Sequence, residues 1–235
     1  MKQTAGPGLK EGLVDGIPLV VGYFPVAMAF GLLAKTTGVS FVDTCLFSVM
    51  VFAGASQFMA LDLIRAGVAS ADIILATFLL NLRHLMMSAS LAVRLGEVRK
   101  GFFPLIAFGV TDESFSVASL KAGKIGAAYL LALNGITYAS WAGGTAAGYL
   151  AGMILPVAVQ NSLGVGLYSL FMAILAPEIK KDRSVLFLAA FSGLSYLLIR
   201  YSAVFSAGWT LIASIIVAAS AGVLVLKDKD GEAEG

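Results

Sequence analysis

One cysteine, one histidine and few charges are the first limits this sequence sets. Cys45 alone makes no intrachain disulfide and no multi-cysteine metal site, and it reads as a small buried apolar residue. His84 alone leaves no His-Glu-x-x-His zinc pattern, and no P-loop is present, so no metal, no cofactor and no direct use of ATP is expected. Ser56 with His84 has no motif to support a serine hydrolase, and the chain is not expected to be an enzyme. Charged residues are 13% of the total, about half of the roughly 25% in soluble domains. The net charge is +2 and no Lys/Arg-rich run exists, which argues against nucleic acid as a partner. Residues 1–15 are polar and lead to no small-residue cleavage site, so no cleavable signal is expected and the first apolar stretch should stay as a span.

What is present is apolar sequence. Hydrophobic residues make up 59% of the chain and the mean hydropathy is +0.91. Candidate spans run about 16–34, 41–64, 71–93, 102–120, 125–150, 156–176, 185–199 and 203–226. The fold class is therefore an all-α integral membrane protein, a polytopic helical bundle of about seven to eight hydrophobic segments. No segment between them is long enough to fold alone. Residues 1–235 read as a single transmembrane domain, with tails 1–15 and 227–235. A kink is expected near Gly22–Pro25 in the first span, because Pro25 removes a backbone hydrogen bond. Trp141 falls deep in the fifth span and reads as core, whereas Tyr196, Tyr201 and Trp209 flank Arg200 as an interfacial belt would.

Four polar or small-residue clusters interrupt these spans. Gly54, Ala55, Ser56 and Gln57 lie mid-span in 41–64. Asn81, Arg83 and His84 lie in the middle of 71–93, where an arginine costs roughly 2.5–3.5 kcal/mol on insertion scales. Thr111, Asp112, Glu113 and Ser114 break 102–120. A ridge of Gly144, Gly148 and Gly152 in 125–150 allows close approach of another helix, either within this chain or from a second subunit. Helical spacing puts Thr77, Asn81, His84 and Ser88 on one stripe and Arg83 and Ser90 on the opposite side. A segment polar on two sides should be enclosed by other spans or locally unwound.

The distribution of Lys and Arg places both termini in the cytoplasm. The loop with Arg94, Arg99 and Lys100 fits that rule poorly if every span crosses. It fits better if 41–64 and 102–120 are broken or re-entrant, and this remains a second topology.

Such clusters suit a pathway for a polar solute inside an apolar shell. For an amino acid, Arg83 would meet the carboxylate. Asp112 or Glu113 would meet the ammonium or carry a proton, and His84 is the one side chain that titrates near neutrality unaided. Gly54, Ser56, Gln57 and Asn81 would shape the path and fix orientation by neutral hydrogen bonds. The plain reading stands beside it: Arg83 pairs with Asp112 or Glu113 only to hold helices together.

Gly22-Tyr23-x-Pro25, Val51-Phe52-Ala53-Gly54-Ala55-Ser56-Gln57-Phe58, Asn81-Leu82-Arg83-His84 and Thr111-Asp112-Glu113 together resemble the AzlC family, with matches over about residues 12–120. The resemblance implies a multi-pass transporter domain in a bacterial cytoplasmic membrane. It implies export of the branched-chain amino acids valine, leucine and isoleucine, coupled to protons, with a small AzlD-like membrane subunit as partner. It assigns no individual binding residue. The competing functions are a non-transporting membrane scaffold and a channel for small polar solutes.

Overall fold

The computed structural model describes residues 8–96, 98–152, 172, 175–176, 179–180, 182–202, 205 and 207–232. The candidate span 156–176 lies outside these apart from Met172, Leu175 and Ala176. Among the described residues the regular structure is helical; the one extended feature is an isolated parallel bridge between Leu95 and Ile125. The helices are α1 (Leu9–Thr36), α2 (Phe41–Val51), α3 (Gly54–Arg65), α4 (Ser70–Arg94), α5 (Phe103–Phe108), α6 (Asp112–Ser119), α7 (Ala127–Ala151), α8 (Arg183–Ser202) and α9 (Ala207–Glu232). By length and composition α1, α4 and α8 can each cross a membrane, and α2 and residues 212–223 of α9 are shorter apolar helices.

The span 41–64 is two helices, not one. Ser40 accepts from the Asp43 backbone N–H at 3.1 Å and starts α2, as a serine N-cap does. Phe52 ends it in the left-handed region, at φ 43° and ψ 47°, a conformation that strains a residue with a side chain. Burial holds it there: Phe52 is 3% exposed, with its ring 5.1 Å from Tyr138 and 6.3 Å from Phe108. Eleven residues of α2 and twelve of α3 are about 17 Å each, roughly half the 30 Å hydrocarbon layer. The span 102–120 is also interrupted. α5 stops at Gly109, and Thr111 restarts the chain as α6 through a capping box with Ser114. Both interruptions fall on the small and polar centres of the sequence.

The described residues group into two compact units. The first takes in residues 1–58 and 81–167 and is built on α1 against α7. Their contact depends on missing side chains. A Cβ at Gly31 would run into the Thr145 carbonyl, and one at Gly148 into the backbone of Met28. Gly144 likewise faces Phe24 and Ala27, and Gly152 faces Leu32. The glycine ridge is thus used for packing inside the chain. α1 runs unbroken through Pro18 and Pro25, and the Ser140 hydroxyl donates to the Val20 carbonyl on it at 3.1 Å. A second cluster packs Leu91, Ile106, Val110, Ile125, Tyr129 and Leu133 beneath α5 and α6. Arg94 closes the end of α6 by donating to the carbonyls of Ser119 (3.0 Å) and Lys121.

The second unit takes in residues 59–80 and 168–235. Leu63, Ala76 and Ile212 form its core, with Met59, Val68, Ile73 and Leu79 around them. α8 packs along α9, and Arg200 donates to the Tyr196 hydroxyl at 3.0 Å. Tyr201 is 84% exposed, in keeping with a side chain at a membrane surface.

The expected unwinding within residues 71–93 is not what the structure has: α4 is helical throughout Asn81–His84. Arg83 pairs with Asp112 and Asn81 donates to Ser56 from this helix. Ile74, Phe78, Leu85 and Met86 remain on its open sides.

Candidate functional site

Every candidate residue lies in the first unit, around the two helix interruptions. At the first, α3 begins without a preceding helical turn, so its leading N–H groups need partners. Gln57 supplies one: its Oε1 accepts from the Ala53 N–H at 3.2 Å. The same oxygen accepts from Trp141 Nε1 at 3.0 Å, while Gln57 Nε2 donates to Ser48 Oγ at 3.0 Å. Ser48 in turn lies 2.7 Å from Thr145 Oγ1. Gln57, Ser48 and Thr145 are wholly buried, so this is a bonded hub joining α2, α3 and α7. Gly54 is tied to it, because a Cβ there would come within 2.7 Å of Trp141 Cη2. Ser56, also wholly buried, donates to the Ala53 carbonyl at 2.9 Å and accepts from Asn81 Nδ2 at 3.0 Å.

At the second interruption Asp112 and Glu113 occupy the first turn of α6, the end of a helix that favours negative charge. Arg83 Nη1 meets Asp112 Oδ2 at 2.9 Å, with both side chains about one-third exposed (37% and 32%). Glu113 has a different neighbour. Tyr23, 4% exposed, donates its hydroxyl proton to Glu113 Oε2. The Tyr23 and Thr111 hydroxyls lie 2.6 Å apart, and Thr111 Oγ1 also lies 3.2 Å from Ser114 Oγ. Among the described residues no cation pairs with Glu113. One arginine therefore stands beside two carboxylates, and the group is neutral when one proton is held on it.

Two polar atoms of this group are buried and unbonded, Asn81 Oδ1 and Arg83 Nε. His84 is half-buried and makes no hydrogen bond to a described residue. The structure thus brings Arg83, Asp112 and Glu113 together and links Asn81 to Ser56. It gives Gln57 and Gly54 to the hub.

Sequence reasoning gave no role to Tyr23 and placed Trp141 only as core. The two rings meet edge-on at 5.7 Å, between the hub and the carboxylates. The signal was on α7: Asn134, Thr137, Trp141, Thr145 and Gly148 recur at intervals of three and four, a stripe that in a span marks a buried polar face.

The family model described as AzlC protein matches residues 18–155, a stretch that contains both interruptions and all the candidate residues. The chain belongs to the AzlC family. It is similar to an uncharacterized membrane protein of Archaeoglobus fulgidus, 42% identical over 174 residues, covering 73% of this chain and 76% of that one. It is 33% identical over 191 residues to the inner membrane protein YgaZ of Escherichia coli, covering 78% of each. The branched-chain amino acid transport protein AzlC of Bacillus subtilis is 25% identical over 170 residues, covering 71% of this chain and 66% of the relative. No solved structure matches. With membrane proteins for relatives and apolar helices of spanning length, this AzlC-family chain is a helical membrane protein.

Proposed function

We propose that this chain is the large subunit of a two-component secondary transporter that exports valine, leucine, isoleucine and their analogues across the cytoplasmic membrane. It acts with a small AzlD-like membrane subunit, is coupled to protons, and keeps both termini in the cytoplasm. The observation that carries the reading is the charge group at the start of α6: Arg83 on Asp112 at 2.9 Å, beside Glu113, whose partner is a tyrosine hydroxyl. Ionisable groups within membrane spans are expensive and mark solute and proton paths. The names of the Bacillus subtilis and Escherichia coli relatives support the substrate class and the membrane.

In this mechanism the amino-acid carboxylate competes with Asp112 for Arg83, forming a charge-assisted pair. The ammonium takes the freed Asp112 carboxylate. Substrate is a zwitterion, so the exchange leaves the net charge of the site unchanged. Glu113 is the coupling group: it takes a proton from one side of the membrane and releases it to the other. Tyr23 and Thr111 position its carboxylate. Ser56 and Asn81 line the approach, and Gln57 with Gly54 keeps the interruption between α2 and α3 in shape.

The test is reconstitution of this chain with its small partner in liposomes, followed by labelled leucine under an imposed pH gradient. Leucine movement that needs both subunits and follows the gradient is expected. Reconstituted complex that moves no branched-chain amino acid, with or without a gradient, overturns the reading in favour of a scaffold.

A further inference from the structure

A half-open groove of about 340 Å³ runs between α4 and α5. One wall extends from Leu85 on α4 to Leu95 just past its end, and the other from Phe103 to Val110. Ser88 is the one polar side chain in the lining, and none of the lining residues is charged. The ten residues from Leu85 to Leu95 rise about 15 Å, half of the roughly 30 Å hydrocarbon layer. The groove has the length and the chemistry of one acyl chain in one leaflet. Charge marks one end of it. The chain that joins the two walls carries Arg99 and Lys100, both within four residues of the lining residue Phe103. Both are exposed, and among the described residues neither has an ion pair. Lys124 adds a third cation. The Ile125 N–H donates to the Arg94 carbonyl at 2.9 Å and the Gly96 N–H to the Ile125 carbonyl at 3.1 Å, which sets exposed Lys124 against the same loop. Arg94 and Lys121 are already engaged, with backbone carbonyls and with Asp15 at 2.6 Å.

Residues 94–100 hold three cations to one anion, Glu97. Phe102 and Phe103 are exposed beside them, as aromatic side chains at a headgroup boundary are. Orienting a chain in the membrane accounts for basic residues in a loop, but it does not require them to cap an apolar groove of one chain's depth. Clustered cations at the end of a membrane helix attract anionic lipid headgroups. We propose that this groove holds one acyl chain of an anionic phospholipid, whose phosphate lies on Arg99, Lys100 and Lys124. The uncharged walls take the chain, and the unpaired cations select the head. Leu91, Ile106 and Val110 belong both to the groove and to the core beneath α5 and α6. A chain seated there therefore braces the break that follows α5.

The experiment uses the full chain, stripped of lipid in a neutral detergent, with native mass spectrometry as the readout. The probes are phosphatidylglycerol, phosphatidylcholine with the same chains, and glycerol phosphate. The first phosphatidylglycerol should bind at least tenfold tighter than the first phosphatidylcholine, which is about 1.4 kcal/mol. Arg99→Gln, Lys100→Gln and Lys124→Gln together should bring it down to the level of phosphatidylcholine. Lys10→Gln, at an exposed cation of α1 outside the groove lining, should leave the preference unchanged. Ala89→Phe puts a ring into the groove from an exposed position and should weaken the binding of both lipids. Equal affinity for the two lipids, or a preference that survives the triple variant, overturns the proposal and leaves unselective surrounding lipid. An equal loss in Lys10→Gln overturns it in favour of net charge alone. Unchanged phosphatidylglycerol binding in Ala89→Phe overturns the groove as the seat of the chain. Displacement of the lipid by glycerol phosphate overturns the lipid in favour of a free phosphate compound. If Ala89→Phe fails to fold, the lipid pair and the triple variant still decide.

Discussion

Glu113 and Asp112 are neighbours in sequence with different work. Asp112 has an arginine at 2.9 Å; Glu113 has a tyrosine hydroxyl and, among the described residues, no cation. If Glu113 is the coupling group, Glu113→Gln should abolish leucine transport driven by a pH gradient, to less than about a tenth of wild type. It should leave leucine–leucine exchange across the membrane intact. Asp112→Asn should instead weaken exchange as well, since it removes the ammonium partner. Retained gradient drive in Glu113→Gln would reassign the proton. Gln57 is a second residue whose environment fixes its effect. Gln57→Leu orphans the Ala53 N–H and Trp141 Nε1–H at roughly 1–3 kcal/mol each. A loss of about 3 kcal/mol in resistance to thermal or denaturant unfolding in detergent is expected, with or without substrate.

The elements repeat that division between packing and chemistry. Gly148→Ala puts a methyl on the Met28 backbone, whereas nothing lies within 4 Å of a Cβ at Gly143 on the same helix. The first should destabilise by about 1–3 kcal/mol as overpacking does. The second should be neutral or stabilise by up to about 1 kcal/mol from helix propensity. Melting of both variants by size-exclusion monodispersity after heating checks the pair. Much of this level was legible beforehand. The two interruptions fall where small and polar residues sit mid-span, because backbone freed inside a membrane must find side-chain partners and the sequence displays those partners nearby. The pairing of Arg83 with Asp112 or Glu113 was read from the sequence, and the structure has Arg83 on Asp112 at 2.9 Å. The link from Asn81 to Ser56 was not legible, because helical spacing says which side of α4 a residue faces but not which distant side chain it meets. Nor does spacing tell a glycine ridge used inside the chain from one used between chains; that depended on Gly31 and Met28 of α1 lying opposite.

For the molecule as a whole, cells that lack this chain or its small partner should accumulate valine, leucine and isoleucine when fed peptides containing them, measured as intracellular pools by mass spectrometry. Unchanged pools and efflux would count against an exporter. The site proposed for that work is assembled from α1, α4 and α6, braced by α3 and α7, and the bracing has an order in time. Trp141 joins Gln57 across 84 residues of chain, and Thr145 joins Ser48 across 97. At roughly 5–20 residues per second of synthesis, the amide of Gln57 waits about 4–17 s for its indole. During that interval α2 and α3 are two half-length helices with an unsupported left-handed residue between them. A nascent chain that stalls before α7 thus presents an exposed polar break to the quality-control proteases of the membrane, and one that has passed Thr145 does not.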